Sequence, residues 1–134
     1  MQTIPPTFAW FRKLTASEKR DVICLVLGVG SLFLFLPVVR FEFINYDDPG
    51  YVSENPRVST GLSIANLVWA FSTLTGGVSY WHPLTWLSHQ LDSALFGLNP
   101  GPHHLTNVVL HSANAVLCFL VLLNLTGALK NSAI

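Results

Sequence analysis

The sequence predicts an all-α membrane protein: two transmembrane helices joined by an outer loop that holds two interfacial amphipathic helices. Three observations carry this. Two uncharged apolar runs, residues 22–39 and 105–129, flank the middle of the 134-residue chain. At about 18 and about 25 residues, they rise roughly 27 and 37 Å as helices, enough for a hydrocarbon core near 30 Å. Hydrophobic residues make up 51% of the chain and charged residues 10%, too apolar a balance for an ordinary water-soluble domain of this length. Between the runs, turn residues separate two stretches of helical periodicity.

Residues 1–20 form a cytoplasmic N-terminal segment. Its first seven residues are short, polar and proline-bearing, and are expected to fray. Phe8, Trp10, Phe11 and Leu14 then alternate with basic positions, as in a helix lying at a membrane interface. Thr15 with Glu18 three residues on has the spacing of a reciprocal N-terminal cap for the first long helix. The first transmembrane helix covers residues 21–39. Pro37 near its outer end predicts a kink or an early stop, because proline lacks the amide hydrogen that a helix interior needs.

Orientation follows from charge. Arg12, Lys13, Lys19 and Arg20 crowd the segment before the first run, which the positive-inside rule places in the cytoplasm. The stretch 40–103 carries Glu42, Asp47, Asp48, Glu54 and Asp92 against Arg40 and Arg57, and reads as a periplasmic or lumenal loop. No small-x-small cleavage pattern follows Val39, so the first run reads as an uncleaved signal anchor. Within the loop, residues 62–74 present Leu62, Ala65, Trp69 and Phe71 on a broad apolar surface closed by Gly76-Gly77. Pro83 opens a second helix with Leu84, Leu87, Leu91 and Leu95 at helical spacing, ended by Gly97. Both stretches carry tryptophan, Trp69 and Trp86, as helices lying on a membrane surface do. The second transmembrane helix covers 104–129, and 130–134 is a cytoplasmic end.

The chain lacks a Gly-rich phosphate loop, a Gly-x-Ser-x-Gly elbow and a basic aromatic patch, which sets aside soluble hydrolases and nucleic-acid partners. Cys24 and Cys118 each stand alone in an apolar run and suggest neither a disulfide framework nor a zinc site. Asp47 and Asp48 stand just beyond the first run. Adjacent carboxylates there can hold a divalent metal or take a proton from a hydroxyl. The same Asn-Tyr-Asp-Asp-Pro-Gly sequence is also ordinary turn chemistry. His104, Asn107, His111 and Asn114 recur at intervals of three, four and three, and make a polar stripe on an otherwise apolar helix. Polar groups in lipid are costly unless they meet protein or a wet cavity, so the stripe points to a ligand, a cavity or more helices. His82 and His89, seven apart, share a helix face, and His82, His89, His103 and His104 together match no specific zinc template.

The motifs Phe43-Ile-Asn-Tyr-Asp-Asp-Pro-Gly-Tyr-Val-Ser-Glu-Asn-Pro, Tyr80-Trp-His-Pro-Leu-Thr-Trp-Leu-Ser-His, Leu95-Phe-Gly-Leu-Asn-Pro and His103-His-Leu-Thr-Asn resemble, in order, those of bacterial tetratricopeptide-repeat membrane proteins. Those proteins are similar to the transmembrane and tetratricopeptide-repeat O-mannosyltransferases of animals, in the C-type glycosyltransferase superfamily. The resemblance runs from about Phe43 to Ala128. It implies that the chain is the N-terminal fragment of a multi-span enzyme that moves a mannose-like sugar from a polyprenyl-phosphate carrier to a protein acceptor. It also implies a setting in the bacterial inner membrane with the loop facing the periplasm. In that superfamily the first outer loop carries an acidic motif at the active site, and Asp47 and Asp48 match it by position. His82, His104, Asn107 and His111 are then the candidate substrate contacts. No metal ligand is assigned in this fragment, although the longer parent has room for a divalent metal ion. Two readings of other classes stay open: a small two-span protein that binds haem or a metal through His104 and His111, and a structural assembly subunit.

Overall fold

A computed structural model describes residues 9–72 and 81–127. The expectations for the first seven residues, Phe8, Gly76-Gly77, Tyr80 and the end at 130–134 lie outside the described residues. Among the described residues there are helices and turns and no strand: α1 (Ala9–Arg12), α2 (Ala16–Phe35), a 3₁₀ segment (Leu36–Arg40), a π turn (Pro49–Ser53), α3 (Pro56–Ser59), α4 (Ile64–Ser72), α5 (Pro83–Phe96) and α6 (Pro100–Thr126). They fall into two compact units. One comprises Met1–Phe35 and Val108–Ile134, the other Leu36–Asn107.

In the first unit, α2 starts at the predicted cap: Glu18 accepts from the Thr15 amide at 2.8 Å, while Thr15 Oγ1 accepts from the Glu18 amide at 3.3 Å. Two otherwise orphaned helix-start donors are thereby satisfied. The far end stops at Phe35 and tightens into the 3₁₀ segment that contains Pro37, as a proline near the end requires. The most apolar 18-residue window of Ala16–Arg40 has a mean hydropathy of 2.7 and none of it is buried; that of Pro100–Thr126 has 2.1 with 11% buried. Phe33 and Leu34 are 82% and 70% exposed. Two such helices, with their apolar side chains on the outside, make this an integral membrane protein with two spans. Gly28 lets α2 approach α6 closely, since a Cβ there would sit 3.5 Å from Val116, and Phe35 meets His111 edge-on at 4.8 Å between ring centroids.

The second unit has a small core of its own. Val52, Val58, Ala70 and Trp86 are buried, with Phe43, Tyr51, Trp69 and Leu87 packed around them. These side chains come from the π turn, α3, α4 and α5, with Phe43 from the segment before the π turn. Asn55 caps α3 by accepting from the Arg57 amide at 3.0 Å, and Gly97 ends α5 with φ of +65°. A polar network, buried at Asn66 and Gln90, ties three helices together. Thr60 Oγ1 donates to Pro56 O at 2.6 Å, Asn66 Nδ2 donates to Gly61 O at 2.8 Å and to Thr60 Oγ1 at 3.1 Å, and Gln90 Nε2 donates to Asn66 O at 3.3 Å.

Two expectations change. The first loop helix spans Ile64–Ser72 rather than starting at Leu62, because Ser63 Oγ accepts from the Asn66 amide at 3.1 Å and so sets the start there. Trp86 is not on an outer face; it is 1% exposed, at the centre of the core. On α5, polar side chains turn inward beside Trp86 and Leu87. Gln90, Asp92 and Ser93 are buried, whereas Leu84, Leu91 and Leu95 of the predicted apolar stripe are exposed. At the start of α6, Gly101 passes under the carbonyl of Val39, where a Cβ would lie 2.8 Å from the oxygen.

Candidate functional site

The chemistry-bearing residues of the second unit converge on the α5–α6 corner. Gly97 turns the chain out of α5, and Asn99 Oδ1 accepts from the Gly101 amide at 3.2 Å to begin α6 at Pro100. His103 therefore comes back against α5 from the first turn of α6. It is 1% exposed, and its Nε2 lies 3.1 Å from Gly97 O. A carbonyl can only accept, so Nε2 carries a proton, and in the neutral imidazole Nδ1 then holds the lone pair. That Nδ1 is buried without a hydrogen-bond partner, 3.9 Å from Asp92 Oδ2. Asp92, itself 4% exposed, accepts from Thr106 Oγ1 through its other oxygen at 2.7 Å.

His89 lies one turn before Asp92 on α5, on the same face. Its ring stacks on that of His103 at 5.9 Å between centroids with 21° between planes, and its Nδ1 is likewise buried without a partner. Burial holds the His89 pKa below its ordinary value, and neighbouring His103 and His82 push the same way, while the charges of Asp92 and Asp48 oppose them. The sign of the consequence is fixed. Above the ordinary value of about 6.5 both folded and unfolded chains hold His89 neutral, and below it the unfolded chain takes the proton first, so stability falls as pH falls. His89→Gln is expected to flatten the decline in denaturant midpoint between about pH 7 and about pH 5 in detergent micelles; a slope equal to that of the native chain would contradict this.

Asp48 sits at the entry to the π turn, where its Oδ2 accepts from the Ile44 amide at 2.7 Å, and its charge reaches His89. The turn reading of this aspartate therefore holds alongside any other role. Asp47 is exposed, and its carbonyl accepts from the Tyr51 amide at 3.0 Å. His82 opens α5 in a column of rings: it stacks on Trp86 at 4.7 Å and on Tyr51 at 5.4 Å, and Tyr51 stacks on Trp86 at 4.9 Å. It also lines a pocket of about 370 Å³ with Phe71, Trp81, Pro83, Leu84 and Thr85. His104 is half-buried beside Phe43, whose ring also meets His103 edge-on at 5.5 Å. Asn107 and Asn114 are exposed, as is His111, which belongs to the first unit. The buried positions of α6 are instead His103, Val108 and Ser112.

The structure thus brings Asp48, His82, Asp92 and His103 each within electrostatic reach of His89. Among the described residues, the group able to hold a metal ion is His89, Asp92 and His103, which excludes both histidines of the haem reading. Of His82, His89, His103 and His104, two belong to this group, and Asp92 joins them. Sequence reasoning counted Asp92 only as loop charge. The available signal was His89-x-x-Asp92, a one-turn pair, followed by a histidine just past a glycine-proline corner.

No family model matches the chain, and no solved structure matches it. Among curated proteins, it is similar to Protein O-mannosyl-transferase TMTC2 of Mus musculus and of Homo sapiens, each 34% identical over 94 residues. The aligned part covers 66% of this chain but 11% of the length of either relative. Its described residues form helices, two of them membrane spans, and the chain has a distant similarity to these protein O-mannosyl-transferases.

Proposed function

We propose that this chain is the N-terminal part of a membrane glycosyltransferase of the C-type superfamily, continued in the parent by further spans and tetratricopeptide repeats. The parent moves a mannose-like sugar from a polyprenyl-phosphate carrier to a hydroxyl on a protein acceptor, on the periplasmic side of a bacterial inner membrane. The similarity to the two O-mannosyl-transferases carries this reading. The placement of Asp47 and Asp48 supports it, because a polyprenyl phosphate leaves its sugar at the membrane interface, and these carboxylates stand a few residues past the first span.

In this scheme Asp47, the exposed member, orients the acceptor hydroxyl and takes its proton as the bond from the sugar carbon to phosphate lengthens. Asp48 holds the turn rigid through its bond to the Ile44 amide and keeps Asp47 in place. His82 presents a ring at the aromatic pocket beside Trp81, a surface suited to the face of a sugar ring. His104, Asn107 and His111 supply hydrogen bonds to phosphate or sugar once neighbouring helices of the parent cover the stripe. The outward Leu84, Leu91 and Leu95 suit a helix resting on lipid.

The test is made on the full reading frame. A periplasm-active reporter fused at Tyr51 is expected to be active, and Asp47→Asn to lower transfer of labelled mannose from polyprenyl phosphate by about 100-fold or more, within the range for losing a general base. A cytosolic reporter at Tyr51, or full transfer by the Asp47→Asn variant, would overturn the reading.

A further inference from the structure

We infer that His89, Asp92 and His103 form a binding site for a divalent transition-metal ion of the zinc class. Three features point to it. One ligand atom from each residue lies within 4.8 Å of the other two. A four-coordinate ion with bonds of about 2.0–2.1 Å sets its ligands about 3.4 Å apart, so the side chains need draw in by roughly an ångström. His103 is prepared for the task, because its Nε2–H is committed to the Gly97 carbonyl and its lone-pair nitrogen Nδ1 is buried, unpartnered and 3.9 Å from Asp92 Oδ2. That separation is too long for a hydrogen bond, and a buried imidazole nitrogen left without a partner is costly. An ion between them satisfies both groups.

The surrounding bonds are those that metal sites use to orient their ligands. A carbonyl fixes the tautomer of His103, and Thr106 Oγ1 holds Asp92 Oδ1 at 2.7 Å, turning the other oxygen toward the histidines. The donor set also selects the ion. Two imidazoles with one carboxylate suit zinc, cobalt, nickel or iron(II), whereas calcium and magnesium prefer oxygen throughout. Three protein ligands leave one position of a four-coordinate ion for water or an anionic oxygen.

The assignment goes beyond the sugar-transfer reading and does not rest on it. It is tested on this chain alone, in detergent micelles, stripped with chelator and carrying Cys24→Ser and Cys118→Ser so that thiols cannot compete. Titration with cobalt(II) is expected to give visible absorption bands that saturate at one ion per chain and are displaced by zinc(II). His89→Gln, Asp92→Asn and His103→Gln should each weaken zinc binding at least ten-fold, and Thr106→Val several-fold. His103 and Asp92 are buried, so their variants are read beside circular dichroism. The half-buried His89→Gln decides the matter if either loses helix content. Zinc binding below a tenth of an equivalent, or unchanged affinity in a folded His89→Gln chain, would overturn the site. Failure of sugar transfer in the parent with metal binding intact would count against the transferase reading alone.

Discussion

Replacing Trp86 with Ala is expected to destabilise the second unit by about 3–5 kcal/mol, the range for removing a fully buried indole. The ring is 1% exposed and meets both the π turn and α4: it stacks on Tyr51 and His82 and lies tilted on Trp69 at 5.1 Å. Beyond the apolar area lost, the cavity would release Tyr51, the residue that anchors the π turn following Asp47 and Asp48. Trp86→Phe separates packing from polarity. The indole Nε1 is buried with no hydrogen-bond partner, so phenylalanine forfeits volume but no bond and should cost about 1–2 kcal/mol. Chemical denaturation in micelles followed by circular dichroism measures both. A Trp86→Ala midpoint matching that of the native chain would mean that this core does not hold the unit together.

Gly61→Ala is the second large effect, expected at about 2–4 kcal/mol, from the left-handed backbone together with overpacking. Gly61 has φ of +76°, and a Cβ built there would lie 3.1 Å from both Cα and Cβ of Ala94. The backbone cost alone is smaller for asparagine, which tolerates positive φ, but the crowding by α5 stays. Gly61→Asn should therefore also lose stability, because its longer side chain meets the same backbone of Ala94. Native stability in Gly61→Asn alone would place the whole effect in the backbone angle, and no loss in either variant would rule out the close approach to α5.

Much of the helical plan could be read from residue order alone, because its signals are local. The Thr15 and Glu18 pair, Pro37 at the end of the first span, Pro83 opening α5 and Gly97 closing it each act within one helical turn, and each appears in the structure where its chemistry requires. Burial was less legible. The leucine stripe of α5 announces an apolar face, but period alone cannot say whether that face meets protein or lipid. The structure turns it outward and buries Gln90, Asp92 and Ser93. The same ambiguity hid the α5–α6 corner. A polar stripe through His104 and His111 was visible as a pattern, whereas His103 and Asp92, one residue off that stripe and on a different helix, meet only because Gly97 and Asn99 fold the chain back. Asp48 was legible as a turn former, and its electrostatic reach to His89 depends on folding.

The meeting of Gly101 with the Val39 carbonyl sets a spacing with main-chain atoms on both sides. Side chains elsewhere in that stretch can drift freely without altering it, yet a single added methyl at position 101 would wedge the strands of chain apart. The corner that carries His103 is in this way fastened to the exit of the first span by a joint with no spare room, tolerant of composition and intolerant of bulk.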